Sequence, residues 1–175
     1  MGSDVIIALI SVGLGWGLSQ LTEVIKSNSK KKELKLALIS EIKDISFFLD
    51  KSSFYCDEFV DELNRGESIF RLTPAKVKTL VYDNYYHEIY ISYNQIERIN
   101  ISLIYSKVDE FNKAIENYNP NNCKREYVNI YRLILTIKEM TNHFLEKPSM
   151  SFSNSIENKK KLTAYINRIS ASELT

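Results

Sequence analysis

The sequence predicts an all-α protein: an N-terminal transmembrane helix continuing into a long helix and an antiparallel cytoplasmic helical bundle. Three observations carry that expectation. The 175 residues include five Gly and three Pro, too few for the many turns of an all-β chain. Apolar residues recur at alternating steps of three and four, the period of an amphipathic helix. The stretch from Val5 to Thr22, VIIALISVGLGWGLSQLT, carries no charge, and a run of lysines follows it. Hydrophobic residues at 44% and charged residues at 26% describe a folded chain. The length fits one domain with or without an appendage. With 23 basic and 22 acidic residues the net charge is +1, which excludes a general polyanion binder. Two Cys cannot build a disulfide framework, and two His do not make a histidine-rich metal site. No sequence motif asks for a cofactor.

The first element is the uncharged stretch. As a helix its 18 residues span roughly 27 Å, close to a hydrocarbon core of about 30 Å. A secretory signal peptide would need a basic start and a small-residue cleavage site; Met1-Gly2-Ser3-Asp4 is not basic and no such site follows. A buried or interfacial helix is the plain alternative, and a single membrane anchor over residues 1–26 is the leading reading. Lys26, Lys30, Lys31, Lys32 and Lys35 all follow the span and nothing basic precedes it. The positive-inside rule then puts the N-terminus outside a bacterial inner membrane and residues 27–175 in the cytoplasm. Both thiols stay reduced there, and the lysines lie where they meet anionic headgroups. Ser11, Gly15 and Ser19 recur every four residues, as do Gly13 and Gly17. Small residues let helix backbones approach closely in lipid, so the two stripes predict self-association. A ring with Ser11, Ser19 and Gln20 inward would enclose a pore.

No Gly or Pro interrupts the chain from Leu18 to Arg65. Leu38, Ile42, Ile45, Leu49, Ser52, Cys56, Phe59 and Leu63 alternate steps of four and three, a heptad-like seam. One helix is expected to Asn64, stopped by Gly66, with Ser27-Asn28-Ser29 the weakest point for a bend. Cys56 on the seam reads as a small buried hydrophobe. A short helix over Pro74 to Tyr82, capped by Thr73, is expected in the connector, with Ile69-Phe70 beneath it. A second long helix is expected from about Asn84 to Tyr118, with Ile89, Tyr93, Ile96, Ile104, Val108, Phe111 and Ile115 on its stripe. Asn119-Pro120-Asn121-Asn122 ends it. A third helix covers Lys124 to Glu146, and a last one Ser155 to Ser170 with Leu162, Tyr165, Ile166 and Ile169 inward.

Candidate chemistry is sparse. Helical ribonucleases of the HEPN class place Arg a few residues before His, for phosphate charge and proton transfer. Only Lys138 has that spacing to His143, and an ammonium lacks the guanidinium fork; Arg132 lies three helical turns before the same histidine. These three are the only nuclease candidates, and His143 reads more simply as a cation at a helix C-terminus. Eleven tyrosines are the compositional anomaly. Tyr82, Tyr86, Tyr90 and Tyr93 form a helical stripe with Tyr85 beside it. Few basic residues interleave with them, so packing in a core or subunit interface is favoured over direct RNA binding. Asp57, Glu58, Asp61 and Glu62 share a face and read as a solvated acidic patch, able to pair with a neighbouring subunit.

The layout of VIIALISVGLGWGL, then KSNSKKKELKLALISEI, then a Pro-containing connector and a Tyr-rich helix resembles small anchored helical proteins of bacteria. Among these it is most similar to the membrane accessory proteins of type VI-B CRISPR systems. The resemblance implies a homo-oligomeric inner-membrane pore that perturbs the membrane during phage defence, beside an RNA-guided RNA nuclease. That family has been linked to a HEPN-like Arg/His motif, which this chain lacks. The expectation is therefore a non-enzymatic, membrane-anchored pore. A tethered ribonuclease and a passive scaffold are the alternatives.

Overall fold

A computed structural model describes the backbone of residues 2–65, 73–152 and 156–171; the side chains of 2–18, Leu21 and Ile156 lie outside the description. Every regular element among the described residues is helical. In chain order they are α1 (Gly2–Arg65), α2 (Leu80–Ile89), a 3-10 turn (Tyr90–Ser92), α3 (Gln95–Glu116), a second 3-10 turn (Pro120–Asn122), α4 (Cys123–Glu146) and α5 (Ile156–Ala171).

Helix α1 runs through Ser27-Asn28-Ser29 without a break. The weak propensity of three residues is small against a cooperative helix on either side, and the Ser29 hydroxyl reaches forward to Glu33 Oε1 at 3.3 Å. At about 1.5 Å per residue, 64 residues extend roughly 96 Å. The seam is real, but it is consumed inside the chain. Leu38, Ile42, Ile45, Leu49, Cys56, Phe59 and Val60 are buried in one core with Ile101, Ile104, Val108 and Phe111 of α3 and Ile130, Leu133, Ile134, Ile137 and Phe144 of α4. Each such side chain contributes about 1.5–3 kcal/mol of apolar transfer free energy. Ser52, buried among them, gives its hydroxyl hydrogen to Phe48 O at 3.1 Å, so this hydroxyl is not stranded. Phe59 stacks on Tyr127 with ring centroids 3.8 Å apart.

Two expected elements are corrected. Residues 73–79, expected to begin a helix at Pro74, have no regular structure, and α2 begins at Leu80. The connector is held instead by Asn112 of α3. Its Oδ1 accepts from Val77 N at 2.8 Å, and its Nδ2 donates to Val77 O at 2.9 Å. The single helix expected over 84–118 is two helices with a corner at Tyr93 and Asn94. Asn94 and Glu97 form a reciprocal capping box, each side chain accepting from the other's backbone N–H at 2.9 Å. Satisfying two orphan donors at a new N-terminus outweighs continuing the α2 helix through a residue of poor propensity. Replacing Asn94 by Ala is expected to lower stability by about 1 kcal/mol, read from the urea midpoint.

Helices α4 and α5 lie close to their expected limits. The turn after α4 is pinned from α3: Asn100, itself buried, donates from Nδ2 to Pro148 O at 3.0 Å and Met150 O at 2.8 Å. Helix α5 returns along α4 and the end of α1, with Tyr165 and Ile169 buried and Ile166 40% exposed.

Buried phenols give the fold an alkaline limit. Burial pushes Tyr86 up to about 12 and holds Tyr93, Tyr105 and Tyr165 well above the ordinary phenol value. Burial also pushes the Cys56 thiol up to about 12, consistent with an inert packed residue. A folded pKa above the unfolded one means that the native state holds more protons than the unfolded chain at high pH. That stability is complete below the unfolded values and is lost as pH rises through them. Urea midpoints are therefore expected to hold level from pH 7 to about 8.5 as far as these groups are concerned, then fall steeply above about pH 10.

Candidate functional site

The N-terminal small-residue stripes fall mainly outside the described side chains. Ser11, Gly13, Gly15 and Gly17 are placed only as backbone of α1, while Ser19 and Gln20 are exposed. Among the described residues, no helix is long and apolar enough to cross a membrane.

The lysine belt divides in two. Lys30 pairs with Glu88 of α2 at 2.7 Å; this bond raises the Lys30 pKa and lowers that of Glu88. Lys35 donates to Ser92 O at 3.0 Å and stands 4.3 Å from the Tyr93 ring centroid. Lys26 and Lys32 are exposed, and Lys31 is half-exposed. The belt thus both faces solvent and ties α1 to the corner between α2 and α3.

Among the described residues the nuclease candidates turn to separate contacts. Lys138 turns to α1 and pairs with Asp50. Arg132 donates to Asn129 Oδ1 at 2.9 Å and borders a small groove with α5. His143 Nε2 lies 2.9 Å from Met150 O; a carbonyl only accepts, so this nitrogen carries the proton. The ring also meets Phe152 edge-on. Each side chain serves a structural contact. The acidic patch has a partner in the same chain: Arg168 of α5 reaches Asp57 Oδ1 at 2.7 Å and Asp61 Oδ1 at 3.4 Å.

The most developed polar centre was not expected. Glu41 of α1 is 9% exposed, and its carboxylate lies at the N-terminus of α2. Oε2 accepts from Val81 N at 2.7 Å; Oε1 accepts from Tyr82 N at 3.0 Å and from Tyr105 Oη at 2.7 Å. Thr79, the residue in the cap position, supplies no side-chain cap, because its hydroxyl donates to Asp83 Oδ2 at 2.7 Å. A carboxylate from another helix therefore takes the orphan donors and meets the positive end of the α2 dipole. The same bond, with burial, keeps Tyr105 protonated.

Above this centre the tyrosines pack as rings rather than lie open. Tyr82 stacks on Tyr105 at 3.8 Å and on Tyr86 at 4.7 Å, and Tyr90 meets Tyr86 edge-on at 5.6 Å. Packing is the expected role, and it holds for one side of the stripe. The other side faces a groove of about 650 Å³ between α2 and α3, bordered by Tyr82, Tyr86, Tyr90, Gln95, Arg98, Ile99, Ser102 and Leu103. Arg98 stands 4.5 Å over the Tyr90 ring. Its position four residues before Ser102, which also borders the groove, gave no signal in the sequence beyond a basic residue near a tyrosine.

Fold and site together define an all-helical bundle built on one very long N-terminal helix, with an aromatic groove on its flank. In comparison with known proteins no family model matches the chain, and no curated protein and no solved structure matches it.

Proposed function

We propose that the chain is a non-enzymatic membrane protein of the bacterial inner membrane that assembles with copies of itself into a pore, in the antiviral setting implied by its resemblance to type VI-B accessory proteins. The observation that supports this reading is the uninterrupted α1. It carries the uncharged segment 5–22, the exposed lysines and the inner seam of the bundle on one rod. A movement of the bundle is then transmitted directly to the N-terminal segment.

Self-association is supported by what α1 leaves uncovered. Ile25, Leu36, Phe47 and Phe54 are each at least 60% exposed. They follow one another after eleven, eleven and seven residues, each close to a whole number of helical turns, so they share one outward face. Ser11 and Leu18 continue the same register in steps of seven toward the N-terminus. The occupant is a second copy, because the one helix that enters lipid in this reading carries its apolar face beyond the membrane surface. An RNA-guided nuclease as the activating partner follows from the resemblance alone.

Detergent-solubilised protein is expected to run as a discrete oligomer well above 20.3 kDa. Gly15→Leu, or Phe47→Glu with Phe54→Glu, is expected to shift it toward monomer while the helical circular dichroism remains. A wild-type monomer at micromolar concentration would remove the proposal. Exchange of residues 5–22 for an unrelated span separates pore from scaffold: a pore loses ion flux in liposomes, whereas retained activity identifies a passive anchor.

A further inference from the structure

We propose that the groove between α2 and α3 is a nucleotide site, holding a heteroaromatic base against its tyrosine wall and a phosphate on Arg98. This holds whether or not the N-terminal segment spans a membrane. The volume, about 650 Å³, lies within the range of small-ligand pockets. One wall is aromatic: Tyr82, stacked between Tyr105 and Tyr86, offers its edge, and Tyr90 is the exposed ring at 44%. Ile99 and Leu103 of α3, 51% and 40% exposed, add apolar lining. Base–tyrosine stacking needs no particular sequence, and the exposed Tyr90 ring beside apolar side chains is a surface of that kind.

Charge distinguishes this groove from a hydrophobic docking face. No carboxylate borders it. The neighbouring acids are engaged elsewhere: Glu97 in the capping box and with Ser149, Asp83 with Thr79, Glu88 with Lys30. Among the described residues Arg98 therefore has a ring against its guanidinium and no anion. A guanidinium fork matches phosphate oxygens in a bidentate way. Tyr86 borders the groove, and its hydroxyl, buried just behind that surface, meets no hydrogen-bond partner among the described residues. A buried orphan hydroxyl of this kind calls for a partner. Gln95 adds an amide that can read the edge of a base. A single cation suits one phosphate, not a strand backbone, which would need a tract of basic residues.

The test uses the full chain in detergent and radiolabelled adenosine monophosphate in equilibrium dialysis at low salt. Saturable binding is expected, with adenosine and inorganic phosphate each competing at least about tenfold less well. Arg98→Ala is expected to weaken binding by about tenfold or more, Tyr86→Phe by several-fold, and Lys43→Ala, an exposed residue of α1 that does not border the groove, not at all. Circular dichroism checks that each variant is folded. A hexa-adenylate competitor identifies the source. Competition no tighter than the monophosphate indicates a free nucleotide; tighter competition that is also lost in Arg98→Ala indicates the end of a strand. Absence of saturable binding for both probes, or binding unchanged in both Arg98→Ala and Tyr86→Phe, overturns the assignment.

Discussion

Glu41→Ala is expected to lower the unfolding free energy by about 3–5 kcal/mol, read as a lower denaturant midpoint at unchanged slope. The size follows from what is stranded. The carboxylate serves three donors, two of them the backbone N–H groups that open α2 and one the buried Tyr105 hydroxyl. Removing the acceptor leaves one buried and two part-buried donors without it, and each buried unpaired donor costs about 1–3 kcal/mol before relaxation. Fraying of the first turn of α2 relieves part of that penalty, which is why the expected loss is below the sum. Glu41→Gln keeps the shape but offers a single acceptor oxygen and loses the favourable charge at the helix N-terminus, so about half the effect is expected. Tyr105→Phe removes one donor and leaves the other two served; about 1 kcal/mol is expected. The double variant Glu41→Ala with Tyr105→Phe is then less harmful than the two single losses added together, because the second removes a group that the first strands. A loss under 1 kcal/mol for Glu41→Ala would show that α2 does not depend on it.

Tyr165→Ala carries the second large effect. Helix α5 reaches the bundle through few buried side chains, and this one does the most. Its ring stacks on Tyr131 at 4.1 Å, and its hydroxyl donates to Cys56 O at 2.9 Å, a carbonyl inside α1. Truncation of a buried aromatic leaves a cavity and removes that bond, for an expected loss of about 3–5 kcal/mol. Much of it is local. With Ile169 the main remaining buried contact of α5, the helix is expected to detach before the rest unfolds, and limited proteolysis to cut beyond α4 while α1 to α4 stay protected. Arg168→Ala is the control. Its pairs with Asp57 and Asp61 are roughly half exposed, so less than about 1 kcal/mol is expected. Equal losses for the two variants would mean that ion pairs, not the ring, seat α5.

The helices themselves were legible because their signal is local. The seam from Leu38 to Phe59 and the stripe from Ile130 to Phe144 repeat at the helical period, and both are buried. What the period does not state is whose surface covers it. The α1 seam looks like one made for another chain, yet α4 of the same chain occupies it. The corner at Asn94 was written as a capping box, but the apolar stripe runs through it from Ile89 and Tyr93 into Ile101 and Ile104, and the period alone joins the two helices. Residues 73–79 and the start of α2 depend on Asn112 and Glu41, which are distant in sequence. Nothing near Glu41 marks it as a buried carboxylate rather than one more acid on a helix flank. The tyrosine stripe was visible as a composition anomaly. Its two-sided character, one face packed on Tyr105 and one facing a groove, requires α3 to be in place.

The placement of α1 also sets a schedule for synthesis. Helix α1 is made before the four helices that follow it, and its principal cover, α4, comes late: Ile134 follows Leu49 by 85 residues. At roughly 5–20 residues per second, the seam emerges on the order of 4–17 s before α4 can meet it. During that interval Leu38, Ile42, Ile45 and Leu49 are an uncovered apolar strip directly behind the uncharged N-terminal segment. A pause in translation between α1 and α4 is therefore the point at which the nascent chain is expected to aggregate most readily.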